Sequence, residues 1–200
     1  MTNPEGPGRA DPAAPITPAE QGRLVPSFSN RGQLEEAERL DLQAARAWAL
    51  REAVLLRTDL LTEAFARELH RRMFRRVWRG AGRYRTEERT PGWEAKRIPE
   101  GMRMFLDDTE GWIRFATFPV DEAALRLHHR LITLRPWANG NGRHARLLAD
   151  VVVAAHRERP LTWGAGMVAA GDRYAEAIRA ADAGEMEPLL RFARGRGHDQ

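Results

Sequence analysis

The stretch LRPWANGNGRHARLLAD, Leu134 to Asp150, sets two glycines around an asparagine and runs directly into an apolar helical pattern. Arg135, Arg143, His144 and Arg146 surround the turn with basic groups. A helix start exposes unpaired backbone N–H groups and the positive end of the helix dipole, so it attracts anions. Glycine ahead of it lets the backbone close on a ligand in dihedrals that a side chain blocks. Gly140, Asn141 and Gly142 supply that backbone. Arg143 and Arg146, three apart, share a face from which two guanidinium forks can reach phosphate oxygens. The same glycines serve equally well in a plain tight turn between antiparallel helices, and spacing alone leaves both readings open.

Working outward, residues 1–23 are rich in Pro, Gly, Ala and Thr without any period, which predicts a disordered tail. Residues 24–57 read as a turn around Gly32 followed by a helix carrying Leu34, Ala37, Ala44, Trp48 and Leu55 on one face. The core is placed at 58–194, with a short tail at 195–200. Thr62 caps a helix to about Arg79 with Leu61, Phe65, Leu69 and Met73 inward. Gly80 to Trp93, GAGRYRTEERTPGW, is too broken for a helix and predicts a loop or small hairpin. Pro99 opens a helix with Met102, Leu106, Trp112 and Ile113 inward. Asp121 caps another, and Ala124, Leu127, Leu131 and Leu134 form its stripe. Arg143 to about Arg157 is the most apolar helix and belongs at the centre. Shorter helices follow at Tyr174–Ala181 and Glu185–Ala193. The fold class is therefore all-α, a helical bundle with one small β-hairpin.

With 200 residues, 42% hydrophobic and 30% charged, the chain can bury one real core. It has no cysteine, no signal-peptide pattern and no apolar run of membrane-spanning length, so a cytoplasmic protein without membrane association is expected. The net charge is +4 with a pI near 10.4. Only one lysine, Lys96, is present, so the basic charge is arginine. Nucleic-acid binding would want arginines concentrated on one face with interleaved aromatics. His70 to Arg85, HRRMFRRVWRGAGRYR, comes nearest, but Leu69, Met73 and Val77 make it a helix with a wet arginine face. A nucleic-acid partner is accordingly not expected.

RPWANGNGRHAR closely resembles the signature loop of Fic (Fido) domains, H-P-F-x-[D/E]-G-N-G-R-x-x-R. Pro136, the aromatic Trp137, Gly140, Asn141, Gly142, Arg143 and Arg146 fall in register. FARELHRRMFRRVWRGAGRYRT is similar to the family helix that leads into a G-x-[F/Y]-R segment. DTEGWI and LHHRLITL also sit where the family has similar text. LTWG and RYAEAIRAADAGEMEPLLRFAR are similar to the subgroup called mobile mystery protein B. The resemblance spans about residues 24–194. It implies an all-α Fic core whose loop binds nucleotide phosphates, usually of ATP, and moves AMP to a hydroxyl of a target protein. Gly140, Asn141 and Gly142 would then form the anion hole, and Arg143 and Arg146 the phosphate clamp. Thr86, Glu87, Glu88 and Arg89 would open the flap that aligns a target peptide. The subgroup also implies a small helix-turn-helix partner.

Two substitutions depart from the family pattern. Arg135 stands where the family has its histidine base, and arginine stays protonated at any ordinary pH. Asn139 stands at the family's acidic Mg²⁺ residue, and an amide oxygen is a weaker ligand for that hard cation. His128 and His129 lie back along the preceding helix and suit packing or surface hydrogen bonding. His144 is nearer the loop and is a minor candidate for a replacement proton acceptor. Ser29 and Gln33 match the spacing of the family's inhibitory motif, with Gln33 in place of its glutamate. They serve equally as a helix cap with Asn30. Three readings follow: a nucleotidyltransferase with altered deprotonation, a nucleotide-binding pseudoenzyme acting through a protein partner, and a nucleic-acid-associated protein favoured by pI alone.

Overall fold

The computed structural model describes residues 13–165, 167 and 169–195, and they are mostly helical with no extended strand among them. In chain order the helices are α1 (Pro18–Gln21), α2 (Arg31–Ala49), α3 (Glu52–Leu55), α4 (Glu63–Phe74), α5 (Ile98–Arg114), α6 (Val120–Leu134), α7 (Asn141–Ala155), α8 (Ala170–Asp182) and α9 (Glu187–Arg194). A single 3₁₀ turn, Ala95–Arg97, precedes α5. No helix among the described residues is long and apolar enough to cross a membrane.

The central element is α7, where every residue from Leu147 to Val153 is buried. One side of it packs with α2, α4, α5 and α6 around Phe65, Leu69, Met102, Leu131 and Leu148. The other side, with α6, faces α8 and α9 around Leu125, Val152, Ile178 and Leu189. A small third cluster joins Leu24, Leu34 and Val77 at the N-terminal edge.

Several expected boundaries move. Gly32 lies inside the first turn of α2 rather than in a turn ahead of it, because the Asn30 side chain already caps the helix at Gln33 N, 3.0 Å. Along α2 the buried stripe is Leu34, Asp41, Ala45 and Ala49, and Ala44 faces solvent. Asp41 takes an inward place because its carboxylate accepts the Arg76 backbone N–H and pairs with the Arg76 guanidinium. α4 ends at Phe74, and the chain continues in turns to a bridge between Trp78 and Leu24. Residues 1–12 of the expected tail and residues 196–200 lie outside the described residues. The remaining part of that N-terminal stretch holds α1, one turn closed by a Thr17–Glu20 capping box.

The expected hairpin is not formed: Thr86–Glu94 is an irregular segment, joined to the body by one bridge between Tyr84 and Trp137. Its carbonyls are taken by a side chain instead of a partner strand. Arg85, 5% exposed, donates from Nη1 to Glu87 O at 2.7 Å and from Nε to Arg135 O at 2.7 Å. Its Nη2 donates to Trp93 O and reaches Leu134 O at 3.4 Å. The last carbonyls of α6 have no partners within their own helix, and the planar guanidinium supplies them. A cation there also suits the negative end of the α6 dipole.

Replacing Arg85 by Met strands those carbonyls. At about 1–3 kcal/mol for each buried group left without a donor, a net loss of about 3–5 kcal/mol is expected after relaxation. Urea unfolding reads it, and Arg85→Lys recovers only part, because an ammonium keeps the charge without the fork.

Candidate functional site

The loop between α6 and α7 is built around Trp137, fully buried. His70 of α4 stacks on its indole at a 4.3 Å centroid distance, and Tyr84 and His144 close its other sides. His70 also ties three segments together. Its Nδ1 accepts the Gly82 N–H at 2.9 Å, and its Nε2–H donates to Asn139 O at 3.2 Å. Accepting at Nδ1 requires the neutral ring. Burial pushes its pKa down to about 2, and the nearby His144 and Arg143 add to the same direction.

Asn141 closes the loop on itself, its Oδ1 accepting Trp137 N–H and its Nδ2 donating to Trp137 O, each at 2.9 Å. Gly140 caps α7 in the left-handed region, φ +68, and a Cβ there would lie 2.4 Å from the Phe74 ring. Gly142 faces open space, with nothing within 4 Å of a Cβ built on it. No side chain caps α7, and the first helical bond is His144 N–H to Gly140 O at 2.9 Å. The backbone N–H groups ahead of it therefore sit at the positive end of a helix, without a capping side chain. That is the arrangement a small anion needs.

The two loop arginines diverge. Arg143 lies over the Phe74 ring and pairs with Glu38 of α2, Nη1 to Oε2 at 2.7 Å. Glu38 also accepts from Trp78 Nε1 at 2.6 Å. Arg146 turns to the opposite side, its guanidinium 4.5 Å from the Tyr174 ring centroid and 6.0 Å from that of Trp163. Arg135 ends α6 as a half-buried residue in the left-handed region, φ 49, with its carbonyl held by Arg85. Asn139 offers the loop only an amide, since its carbonyl is committed to His70. Thr86, Glu87 and Glu88 are exposed and Arg89 is half-buried. Glu88 accepts the Ala95 N–H, and Glu87 pairs with Arg23.

The histidines are structural. His144, named for its proximity to the loop, is buried and donates from Nε2 to Ala66 O at 2.9 Å, facing α4 and not the anion space. His128 is buried against the Tyr174 hydroxyl at 3.0 Å, and His129 lies 2.7 Å from Asp182 Oδ1. Burial pulls His128 down to about 3 and His144 down to about 4. Gln33 turns its amide oxygen back to the Ser29 N–H at 2.9 Å, completing the helix cap rather than reaching Arg146. Sequence reasoning passed over Glu38, His70 and the capping role of Arg85. The G-x-[F/Y]-R text, Gly82 to Arg85, was the signal for the last of these.

The profile of the Fic/DOC family matches residues 60–153. This span holds α4 to most of α7, with the loop just described. The chain carries a Fic/DOC family domain. Relatives include the protein adenylyltransferase Fic of Culex quinquefasciatus, 26% identical over 163 residues, 79% of this chain and 32% of that protein. The protein adenylyltransferase fic-1 of Caenorhabditis elegans is 26% identical over 178 residues, 86% of this chain and 34% of that protein. This chain thus spans about a third of the length of these curated relatives. Among solved structures, Fic-1 of C. elegans (aa 134–508) superposes with a TM-score of 0.66 at 23% identity, over 88% of this chain and 52% of that one. The Bartonella tribocorum effector BepC gives 0.67 at 15% identity, over 86% and 90%. These establish the Fic fold around the loop.

No group of three or more His, Asp or Glu side chains among the described residues is arranged to hold a metal. At the loop itself Asn139 is neutral, and the Asn141 amide is consumed by Trp137. At this place the loop offers amide oxygen, a weaker ligand for Mg²⁺ than a carboxylate.

Two predictions follow from this geometry. Gly140→Ala forces a methyl into Phe74 and an alanine into a left-handed dihedral, so it should cost about 2–4 kcal/mol or abolish folding. Gly142→Ala meets nothing, sits in the first turn of α7 and should leave stability unchanged or raise it by up to about 1 kcal/mol. Thermal unfolding of both variants checks the contrast. His70, His128 and His144 are neutral in the fold, with pKa values below the ordinary 6.5. Their contribution is complete above pH 6.5 and is lost as pH falls below it, because the unfolded chain binds the protons first. Between pH 6 and 5 stability should fall by about 3–4 kcal/mol per pH unit, from up to about 1.4 for each histidine. Urea midpoints at the two pH values measure it.

Proposed function

We propose that this Fic domain binds the phosphates of a nucleotide, ATP by preference, and is of the protein-adenylyltransferase type, acting on a hydroxyl of a target protein. The observation that carries the reading is the start of α7. Its amides are uncapped, the position of Gly142 is open, and Arg143 stands in the first turn. The related proteins named adenylyltransferases and the AMPPNP-bound Bartonella effector point to the same ligand class.

In this reading Gly140, Asn141 and Gly142 present backbone N–H groups to a phosphate, and Arg143 and Arg146 add guanidinium donors at its sides. Such transfer is mostly positioning and charge stabilisation, which these groups can provide. Arg146 must swing from its place over Tyr174, and Arg143 must share itself with Glu38. Thr86, Glu87, Glu88 and Arg89 would meet the target peptide. Because that segment is irregular here, pairing with an extended peptide would have to order it. Any Mg²⁺ would come with the nucleotide and contribute charge neutralisation of the phosphates.

Arg135 is the point at which ordinary AMP transfer fails in this proposal. It stands where the Fic pattern has histidine, and a guanidinium cannot accept the proton of an attacking hydroxyl. Its positive charge favours binding of an anion while withholding the base. A second reading, a pseudoenzyme that binds nucleotide and acts through a protein partner, is favoured by the Glu38–Arg143 ion pair, which already neutralises one clamp residue. A mobile mystery protein B-like role beside a small helix-turn-helix partner in the cytoplasm belongs to this second reading.

Calorimetry with ATP, with and without Mg²⁺, tests the proposal. The native chain should bind, and Arg146→Ala should weaken binding by about 10–100-fold, the range for hydrogen bonds to a charged group. Absence of heat under both conditions sinks the nucleotide reading. With labelled ATP and casein as a surrogate acceptor, Arg135→His should then raise transfer by about 10²–10⁴-fold, the usual contribution of a general base.

A further inference from the structure

Many described arginines of this chain have a carboxylate within ion-pair distance, among them Arg67, Arg72 and Arg76 of the same run. Arg71, Arg75, Arg79 and Arg83 are all exposed and lack one. They recur at every fourth position from the end of α4 through the turns behind it. The backbone gathers them. Arg75 N–H bonds to Arg71 O at 2.9 Å, and Trp78 N–H to Phe74 O at 2.7 Å, so the chain keeps a helical course to Trp78, after which Arg79 N–H bonds to Arg23 O at 3.0 Å. Gly82, φ +77, then brings it back against α4, where a Cβ on Gly82 would lie 2.9 Å from the Arg71 Cβ. Arg83 therefore returns beside Arg71, next to a shallow depression that Arg67, Glu68, Arg71 and Gly82 line.

Folding does not require this arrangement. Basic residues at i and i+4 repel one another. The dipole of α4 favours cations at Arg71 and Arg75, but Arg79 and Arg83 lie beyond the helix end. The patch also adjoins the loop of the candidate site, since the His70 ring alone bridges Gly82 N–H and Asn139 O.

We infer that Arg71, Arg75, Arg79 and Arg83 form a docking surface for an acidic segment of a partner polypeptide, presented beside the loop that handles the nucleotide. The inference rests on the reading of this chain as acting on a target protein, and it names the chemistry of that target. Planar guanidinium forks match carboxylates in bidentate pairs, and an unpaired cluster of them steers an acidic partner toward the site. Single-stranded nucleic acid fits less well, because it needs exposed aromatics between the cations for base stacking. The aromatics of this run are committed inward. Trp78 donates to Glu38 at 2.6 Å, and Tyr84 packs on Trp137 beneath the Arg67 guanidinium.

The test uses fluorescence anisotropy with the full chain and a labelled ten-residue peptide of alternating Glu and Asp, with a labelled 20-base-pair DNA duplex as the competing probe. The patch variant R71Q/R75Q/R79Q/R83Q is compared with R51Q/R103Q/R173Q/R179Q, four exposed arginines elsewhere, so that net charge is matched. Circular dichroism confirms that both fold. The patch variant should lose about tenfold or more in peptide affinity, and the control should change by less than about twofold, with binding weakened by salt in the native chain. Equal losses in the two variants would reduce the effect to overall charge and overturn the inference. Duplex binding whose salt slope drops by about 3–4 in the patch variant, without peptide binding, would overturn it in favour of a phosphate-backbone surface. Calorimetry with ATP separates this from the nucleotide reading. A native chain that binds the peptide through the patch but binds no ATP keeps the docking surface and loses that reading.

Discussion

The buried guanidinium of Arg85 holds the site in place. It collects carbonyls from the end of α6 and from the segment after itself, two parts of the chain about fifty residues apart in sequence. Without it carbonyls at the end of α6 would lose their donor inside the protein, and the 86–94 segment would be left with such ties as the Trp93 N–H bond to Leu134 O and the exposed Glu87–Arg23 pair. The cost of burying its charge is offset because each of its three nitrogens donates to a carbonyl oxygen. The entry to the glycine loop, Leu134 and Arg135, thereby has a fixed position relative to the segment on which a target peptide would lie.

From that fixed entry the loop is completed by neutral rings. Trp137 fills the space under the loop, and His70 spends both nitrogens on backbone groups of two other segments. A charged histidine could not do this, so the same burial that lowers its pKa also preserves the bridging geometry. The consequence for chemistry is that none of the buried histidines is available as a proton acceptor at the loop.

The two arginines of the loop show how neighbouring elements divide a motif. One turn of helix would let Arg143 and Arg146 share an anion, yet Glu38 draws the first toward α2 and the aromatic rings of Tyr174 and Trp163 draw the second toward α8. An incoming phosphate would compete with a carboxylate on one side and with cation–π contacts on the other. Arg71, Arg75, Arg79 and Arg83, exposed around Gly82, have no such carboxylate or ring competitor among the described residues.

Much of this was legible in the residues themselves. Apolar spacing placed the long helices and put the 143–157 helix at the centre, because burial on all sides leaves a continuous apolar run. Gly140 announced the turn, because only glycine tolerates its dihedral and its closeness to Phe74. What the order of residues could not contain is which distant partner each polar group finds. That Arg85 replaces a hairpin, that Ser29 and Gln33 close a helix cap, that His144 faces α4, and that Glu38 meets Arg143 are all outcomes of packing. Helical period and backbone freedom are local properties, whereas a buried donor takes whatever acceptor the assembled core brings within about 3 Å.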